Sequence, residues 1–220
     1  MEIVQVCGQD DIRAIYRELI EINFPPHERT VEADFVEAVL RGQTLLFAVR
    51  DEAGWLGEIS LELHGDPLVE LISWLSIAPA GRGLGIGGKL LEFAIDYASK
   101  RGTRWLVGEI ENPGAVSSSA EHGDPSARAK FYVRHRAKAI MANYLQPPIA
   151  EGQDAVEMLL IVFSAQPLGQ TIPSAPLKEF LAEYVGDYPP SWQRLQPALA
   201  TSQVPLTNIS AETFELTRRL

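Results

Sequence analysis

Through residue 163, apolar positions follow two rhythms, a period near two and a period near 3.6, and the switches between them lay out the elements. Ile3 to Cys7 reads as a first strand. Ile12, Ile15, Tyr16, Leu19 and Ile20 then fall at helical spacing until Phe24-Pro25-Pro26-His27 breaks the run. Val31, Phe35, Val36, Val39 and Leu40 form the apolar face of a second helix, stopped at Gly42. Leu45–Arg50 and Trp55–Leu63 read as strands joined by the turn Asp51-Glu52-Ala53-Gly54, and Glu70–Ala78 as a third, ended by Pro79. Ile86, Leu90, Phe93, Ala94 and Tyr97 mark an amphipathic helix with Gly102 just past its end, and Trp105–Ile110 is the next strand. Polar Glu111–Gly123 reads as a loop, and Asp124-Pro125 opens a helix to about Arg136. Ala139–Leu145 and Ala155–Phe163 close the series as strands.

The order predicts an α/β fold: one mixed, mostly antiparallel sheet with helices on both faces over residues 1–163. Beyond Gln166 prolines multiply and the pattern changes, so 164–220 is expected to be a helical extension outside the sheet. Leu177, Phe180, Leu181 and Tyr184 form an apolar stripe on it that needs a partner surface. The extension should therefore cover the cleft or complete a subunit interface, which leaves a homodimer open.

Composition narrows the functional classes. The 220 residues are 46% hydrophobic and 22% charged, as in ordinary soluble domains. A net charge of -10 disfavours nucleic acid, whose phosphates need a basic surface, and is compatible with a cationic ligand such as an amine. The single cysteine, Cys7, excludes an internal disulfide and a cysteine-based zinc cluster; within its strand it is expected to be a small inert hydrophobe. His64, His122 and His135 have no metal-ligand spacing, so no metal is expected. With no signal-peptide pattern and no run near the ~18 apolar residues of a membrane span, a cytoplasmic setting away from membranes is expected. Trp55, Trp74, Trp105 and Trp192 read as core or interface residues.

The chemistry concentrates in Leu75–Leu90, where a strand feeds a glycine-rich turn that opens into a helix. Glycine admits a ligand close to the backbone, and a helix N-terminus offers unpaired N–H groups to an anion, so phosphate binding is the physical reading. Three motifs overlap. Gly83-x-x-x-x-Gly88-Lys89 begins a P-loop, but Leu90 stands where a magnesium-binding hydroxyl is required. Gly83-x-Gly85-x-x-Gly88 fits a dinucleotide fingerprint, with Glu109 about twenty residues beyond. Against that fingerprint, Pro79-Ala80-Gly81-Arg82 separates the glycines from their strand, and the preceding strands are hairpins. The third motif is Arg-x-x-Gly-x-Gly, given by Arg82, Gly85 and Gly87 after Ile77-Ala78-Pro79.

On that loop and the element order, the chain resembles the GNAT superfamily of acyl-CoA-dependent N-acyltransferases over about residues 1–163. The resemblance implies that backbone N–H groups from Arg82 through Gly83, Gly85, Gly87 and Gly88 cradle the pyrophosphate of acetyl-CoA or a related acyl-CoA. It also implies that the strand ending at Ile77 pairs with the pantetheine arm. Phe131-Tyr132 is similar to the family's later helix, whose tyrosine protonates the leaving thiolate. There the sequence departs, because Arg136 and Ala137 replace the usual Gly-Phe and the helix needs another cap. Glu70, Glu109 and Glu111 are the candidate bases at the strand ends flanking the acyl group, with Glu111 also a candidate substrate contact, and strand register decides among them. His27 and Glu28, between the first two helices, are candidate substrate contacts, or part of a proline-fixed connection. The implied function is N-acetyl transfer to an unidentified primary amine. A non-catalytic acyl-CoA-binding regulatory module and a nicotinamide-linked oxidoreductase remain as alternatives.

Overall fold

The computed structural model describes residues 2–26, 29–65, 67–111, 125–149, 152–210 and 212–219. Alternating apolar positions place strands β1 (Ile3–Gln5), β2 (Thr44–Asp51), β3 (Gly54–Leu63), β4 (Val69–Ile77) and β5 (Trp105–Glu111) side by side in chain order. The sheet continues through β8 (Val156–Phe163), β6 (Lys138–Ile140), β10 (Gln203–Asn208) and β9 (Thr171–Pro173), with β7 (Tyr144–Gln146) also on β8. Among these pairs only β4 and β5 run parallel. The mostly antiparallel order contradicts the two parallel halves that a dinucleotide-binding fold requires.

Each strand sends alternate side chains to opposite faces. One face carries Phe47, Ile59, Leu61, Leu106 and Phe163, covered by Leu90, Leu91 and Ala94 of α4 (Ile86–Arg101) and by α5 (Pro125–Arg134). On the opposite face, Leu46, Ala48 and Trp74 pack under Ile12 and Ile15 of α1 (Gln9–Ile15), Leu19 and Ile20 just before α2 (Glu21–Asn23), and Phe35, Val36 and Val39 of α3 (Glu32–Leu40). A π-helical stretch, Tyr16–Ile20, joins α1 to α2. Further along that face, Leu71, Val107, Leu160 and Val162 meet Leu177, Phe180 and Leu181 of α6 (Ser174–Val185) and Leu195 of α7 (Pro189–Leu199). Among the described residues, no helix is long and apolar enough to cross a membrane.

Three expectations change. The segment Ala139–Leu145 is two short strands, because the register against β8 slips by two residues between Ala139↔Ile161 and Tyr144↔Met158, while Met141 N–H continues the β10 pairing by donating to Pro205 O at 2.9 Å. The segment beyond Gln166 is not purely helical: besides α6, α7 and α8 (Thr213–Thr217) it holds β9 and β10. Strand β10 joins the main sheet, with Leu206 opposite Ile140. Its inward residues Val204 and Leu206 are masked in the sequence by Pro205, which has no N–H yet still accepts through its carbonyl. Cys7 lies past the end of β1 and is exposed rather than packed in a strand.

Two local features carry a measurable cost. Arg136, just past α5, adopts φ 64°, the left-handed conformation usually left to glycine. In that position Arg136 N–H donates to Val133 O at 3.0 Å and Ala137 N–H to Tyr132 O at 3.1 Å, so the helix is capped as glycine would cap it. Glu58 of β3 is fully buried beneath the N-terminal helices, opposite Ser76 and two residues from Ser60. Neither of its carboxyl oxygens reaches a hydrogen-bond partner. Burial pushes its carboxyl up to about 7, with the two serine hydroxyls opposing the shift.

Replacing Arg136 with glycine should stabilise the protein by about 1 kcal/mol, seen as a higher melting temperature, because the left-handed penalty disappears. Glu58 gives a pH-dependent result. Its folded pKa lies above the unfolded value, so the folded state holds the proton longer, and stability falls as pH rises from about 4.5 to about 7. Glu58→Gln should therefore gain up to about 3 kcal/mol over the natural protein at pH 8 and little at pH 4.5, by chemical denaturation at both values.

Candidate active site

The parallel pairing of β4 with β5 covers only Val69↔Trp105, Glu70↔Leu106 and Leu71↔Val107. Beyond it both strands continue, β4 held by β3 as far as Ile77↔Gly57 and β5 held by β8 as far as Glu111↔Met158. Their inner edges therefore diverge and leave an opening through the sheet. At the same level the β3–β4 register shifts between Ser60 and Leu61, whose partners are Trp74 and Ile72, so Ser73 is an unpaired bulge. The Ser73 hydroxyl is buried without a partner. Ser73, Trp74, Gly108, Glu109 and Tyr132 all line the cleft that this opening creates.

Tyr132 enters from the α4/α5 face. Its ring packs edge-on against Phe163 at 5.7 Å and against Phe131 at 5.2 Å. Among the described residues its hydroxyl has no hydrogen-bond partner. Burial raises its pKa, opposed in part by the Arg128 guanidinium, so at neutral pH it is a phenol with a proton to donate.

Glu109 belongs to the opposite face, because it alternates with Val107, which packs under α6. Its Oε2 accepts from Gln146 Nε2 at 2.8 Å and from the Tyr184 hydroxyl at 2.8 Å. Its Oε1 is buried without a partner. Burial raises the carboxyl pKa; the Tyr144 and Tyr184 hydroxyls and Gln146 oppose that shift, and nearby Glu62 adds to it. The other two glutamates sit differently. Glu70 lies at the paired base of β4, where its Oε1 accepts from Thr103 Oγ1 at 2.7 Å and faces Arg101 Nε at 3.5 Å. Glu111 lines the cleft but is paired with Arg128. His27 and Glu28 lie outside the described residues.

The glycine loop forms a second groove, on the α4/α5 side. Gly83 and Gly85 have φ of 77° and 73°, and a side chain at either would meet nothing within 4 Å, so it is the backbone conformation that requires glycine. Gly85 caps α4, whose first internal bond is Lys89 N–H to Gly85 O at 3.2 Å. The N–H groups of Ile86, Gly87 and Gly88 are left without intrahelical partners. Arg82 lines this groove as well, and its Nη2 donates to Asn23 Oδ1 at 3.2 Å, which ties the loop to α2. Ile77, Gly87 and Gly88 line the groove together with Lys89, Arg134 and His135. The sequence marks none of the last three as a contact of this loop, naming Lys89 only in the P-loop motif and His135 only among the histidines without metal-ligand spacing, because only the approach of α5 to α4 makes Arg134 and His135 neighbours of the loop. Trp74 and Gln146 were likewise missed: nothing local to them signals a cleft.

The model of the acetyltransferase (GNAT) family matches residues 11–122, which contain the loop and Glu109 but not Tyr132. No curated protein matches the chain by sequence. Among solved structures, a GNAT-family acetyltransferase of Bacteroides thetaiotaomicron is 24% identical with a TM-score of 0.61, covering 76% of this chain and 88% of its own. An aminoglycoside 6'-N-acetyltransferase complexed with coenzyme A is 16% identical with a TM-score of 0.56, covering 77% and 99%. The ribosomal-protein-S18-alanine N-acetyltransferase of Escherichia coli is 19% identical with a TM-score of 0.51, covering 76% and 95%. The last three share the fold with this chain, and with half of its length matched by the family model, the chain belongs to the GNAT acetyltransferase family.

Proposed function

We propose that the protein transfers an acetyl group from acetyl-CoA to a primary amine by direct attack, with Glu109 as base and Tyr132 as acid. One observation carries this reading: Tyr132 and Glu109 line the same opening between β4 and β5 from opposite faces of the sheet. The acyl donor would lie on the α4/α5 side. There the N–H groups of Ile86, Gly87 and Gly88, with Lys89 and Arg134, suit a pyrophosphate, and the free inner edge of β4 down to Ile77 suits an amide-bearing arm. The amine would arrive from the α1–α3 and α6 side. Two cavities there share Thr30, Glu62 and Trp74; one is lined also by Glu109 and the other by Asp34, His64 and Glu183, with no lysine or arginine among their described lining residues. Such a wall attracts an ammonium.

An alkylammonium has a pKa of about 10, so it must shed a proton before its nitrogen can attack. The buried Glu109 carboxyl, held above the ordinary glutamate range, is a better match for that transfer near neutral pH than an exposed one. The new bond joins nitrogen to the acyl carbon, and the carbon–sulfur bond breaks. The ammonium gives its first proton to Glu109 and the freed amine attacks; its second proton, released as the amide forms, replaces the proton that Tyr132 gives to the departing thiolate. Glu109 then returns its proton to solvent, so one proton is released per turnover. A raised phenol pKa keeps Tyr132 protonated until the thiolate forms.

Release of free CoA in the presence of an amine panel tests the reading, and no release with any amine would refute it. Gly85→Asp should weaken acetyl-CoA binding by more than about tenfold in calorimetry, since a carboxylate then faces the phosphates. Unchanged affinity would remove the loop from the site. Tyr132→Phe should lower turnover by about 10²–10⁴-fold while acetyl-CoA affinity stays intact. Full turnover in that variant, with chemistry rate-limiting, would reduce Tyr132 to a packing residue.

A further inference from the structure

The family match stops at residue 122, yet one of the two groups bonded to Glu109 comes from residue 184. We infer that the C-terminal extension is a working part of the acceptor site, with Tyr184 the positioning residue that holds Glu109 and sets the pH at which it accepts a proton. The inference rests on reading Glu109 as the base.

Helix α6 is placed firmly enough for this role. Leu177, Phe180 and Leu181 are buried against β4, β5 and β8. Tyr184 follows one turn later on the same stripe, stacked on Phe180 at 5.5 Å and edge-on to His64 at 5.6 Å. Glu183 Oε2 accepts the Gly65 N–H at 2.5 Å, which fastens the end of α6 to the segment after β3. The second donor to Glu109 depends on the extension as well. Gln146 follows Leu145, whose carbonyl accepts a hydrogen bond from the buried Ser191 hydroxyl of α7. Both hydrogen bonds to the carboxylate are thus held by helices beyond the family match.

The groups around Glu109 make the consequence directional. Glu62 of β3 faces it with like charge. Tyr144 and Gln146 of β7 and Tyr184 of α6 face it as neutral polar groups. Glu111 on its own strand and Arg128 and Tyr132 of α5 share the cleft, the first two paired with each other. Donors to a carboxylate favour its charged form and oppose the effect of burial. Without the Tyr184 hydroxyl, burial and Glu62 act with less opposition, and Glu109 holds its proton to higher pH.

Tyr184→Phe removes the hydroxyl and leaves the ring stack. For one amine at saturation, the acidic limb of its kcat profile should move up by about one pH unit, a roughly tenfold loss of rate on that limb. The KM for acetyl-CoA and the melting temperature should stay as they were, and the rate should recover above the shifted limb. A limb that stays at the natural pH, or a uniform loss at every pH, overturns the inference. Glu109→Gln tests the underlying reading separately: if that variant keeps turnover and limb, Glu109 is not the base. Titration of carbon-13-labelled glutamate by NMR needs no turnover. A Glu109 carboxyl titrating higher in Tyr184→Phe supports the holding role, and one that does not move refutes it.

Discussion

The site depends on a broken pairing. Strands β4 and β5 share three paired positions and then part, while each stays bonded along its outer edge to β3 or β8. Because the outer ladders hold, the opening is a rigid slot and not a frayed edge, and the inner backbone groups are left for a ligand to satisfy. On the proposed reading, a donor on one face and an acceptor on the other meet in this slot without either crossing the core.

That geometry dictates how the polar groups are placed. Alternation along β5 puts Val107 and Glu109 on the face opposite Leu106, and Tyr132 reaches the slot from the α5 side. Each group is raised in pKa by burial, and each keeps an unpartnered oxygen: Oε1 of Glu109, and the Tyr132 hydroxyl among the described residues. An oxygen without a partner costs free energy in a finished core and is useful where a substrate supplies the missing bond. Glu58 shows the contrast. It is more deeply buried than either, with its carboxyl near 7, but it lies beneath the N-terminal helices and not on the slot, so what it brings is a cost in stability.

The extension is tied to the Glu109 carboxylate. Helices α6 and α7 cover the part of the sheet that α1–α3 leave bare, and β10 adds to the sheet beside β6. The apolar stripe that asked for a partner in the sequence finds it on its own chain, over β4, β5 and β8. Tyr184 and the anchored Gln146 then act on Glu109 from this second layer.

The sequence by itself determined most of the described elements of the first 163 residues, the break within Ala139–Leu145 and the early end of β1 aside, and the glycine positions of the loop from Arg82 to Gly88, because periodicity and glycine spacing are local signals that survive without a fold. It could name Glu70, Glu109 and Glu111 as equals, since all three lie at strand ends, but parity and pairing are tertiary. Only the register put Glu70 against Thr103 and Glu109 into the slot. The left-handed Arg136 was visible only as a missing glycine; that arginine itself takes the cap had to be seen. Val204 and Leu206 were hidden by Pro205, because a strand whose partner is more than sixty residues away leaves little trace in its own sequence. Tyr184 read as one more apolar position on a stripe. A hydroxyl at the rim of such a stripe meets a carboxylate only when two distant segments are packed together, and that placement belongs to the tertiary structure alone.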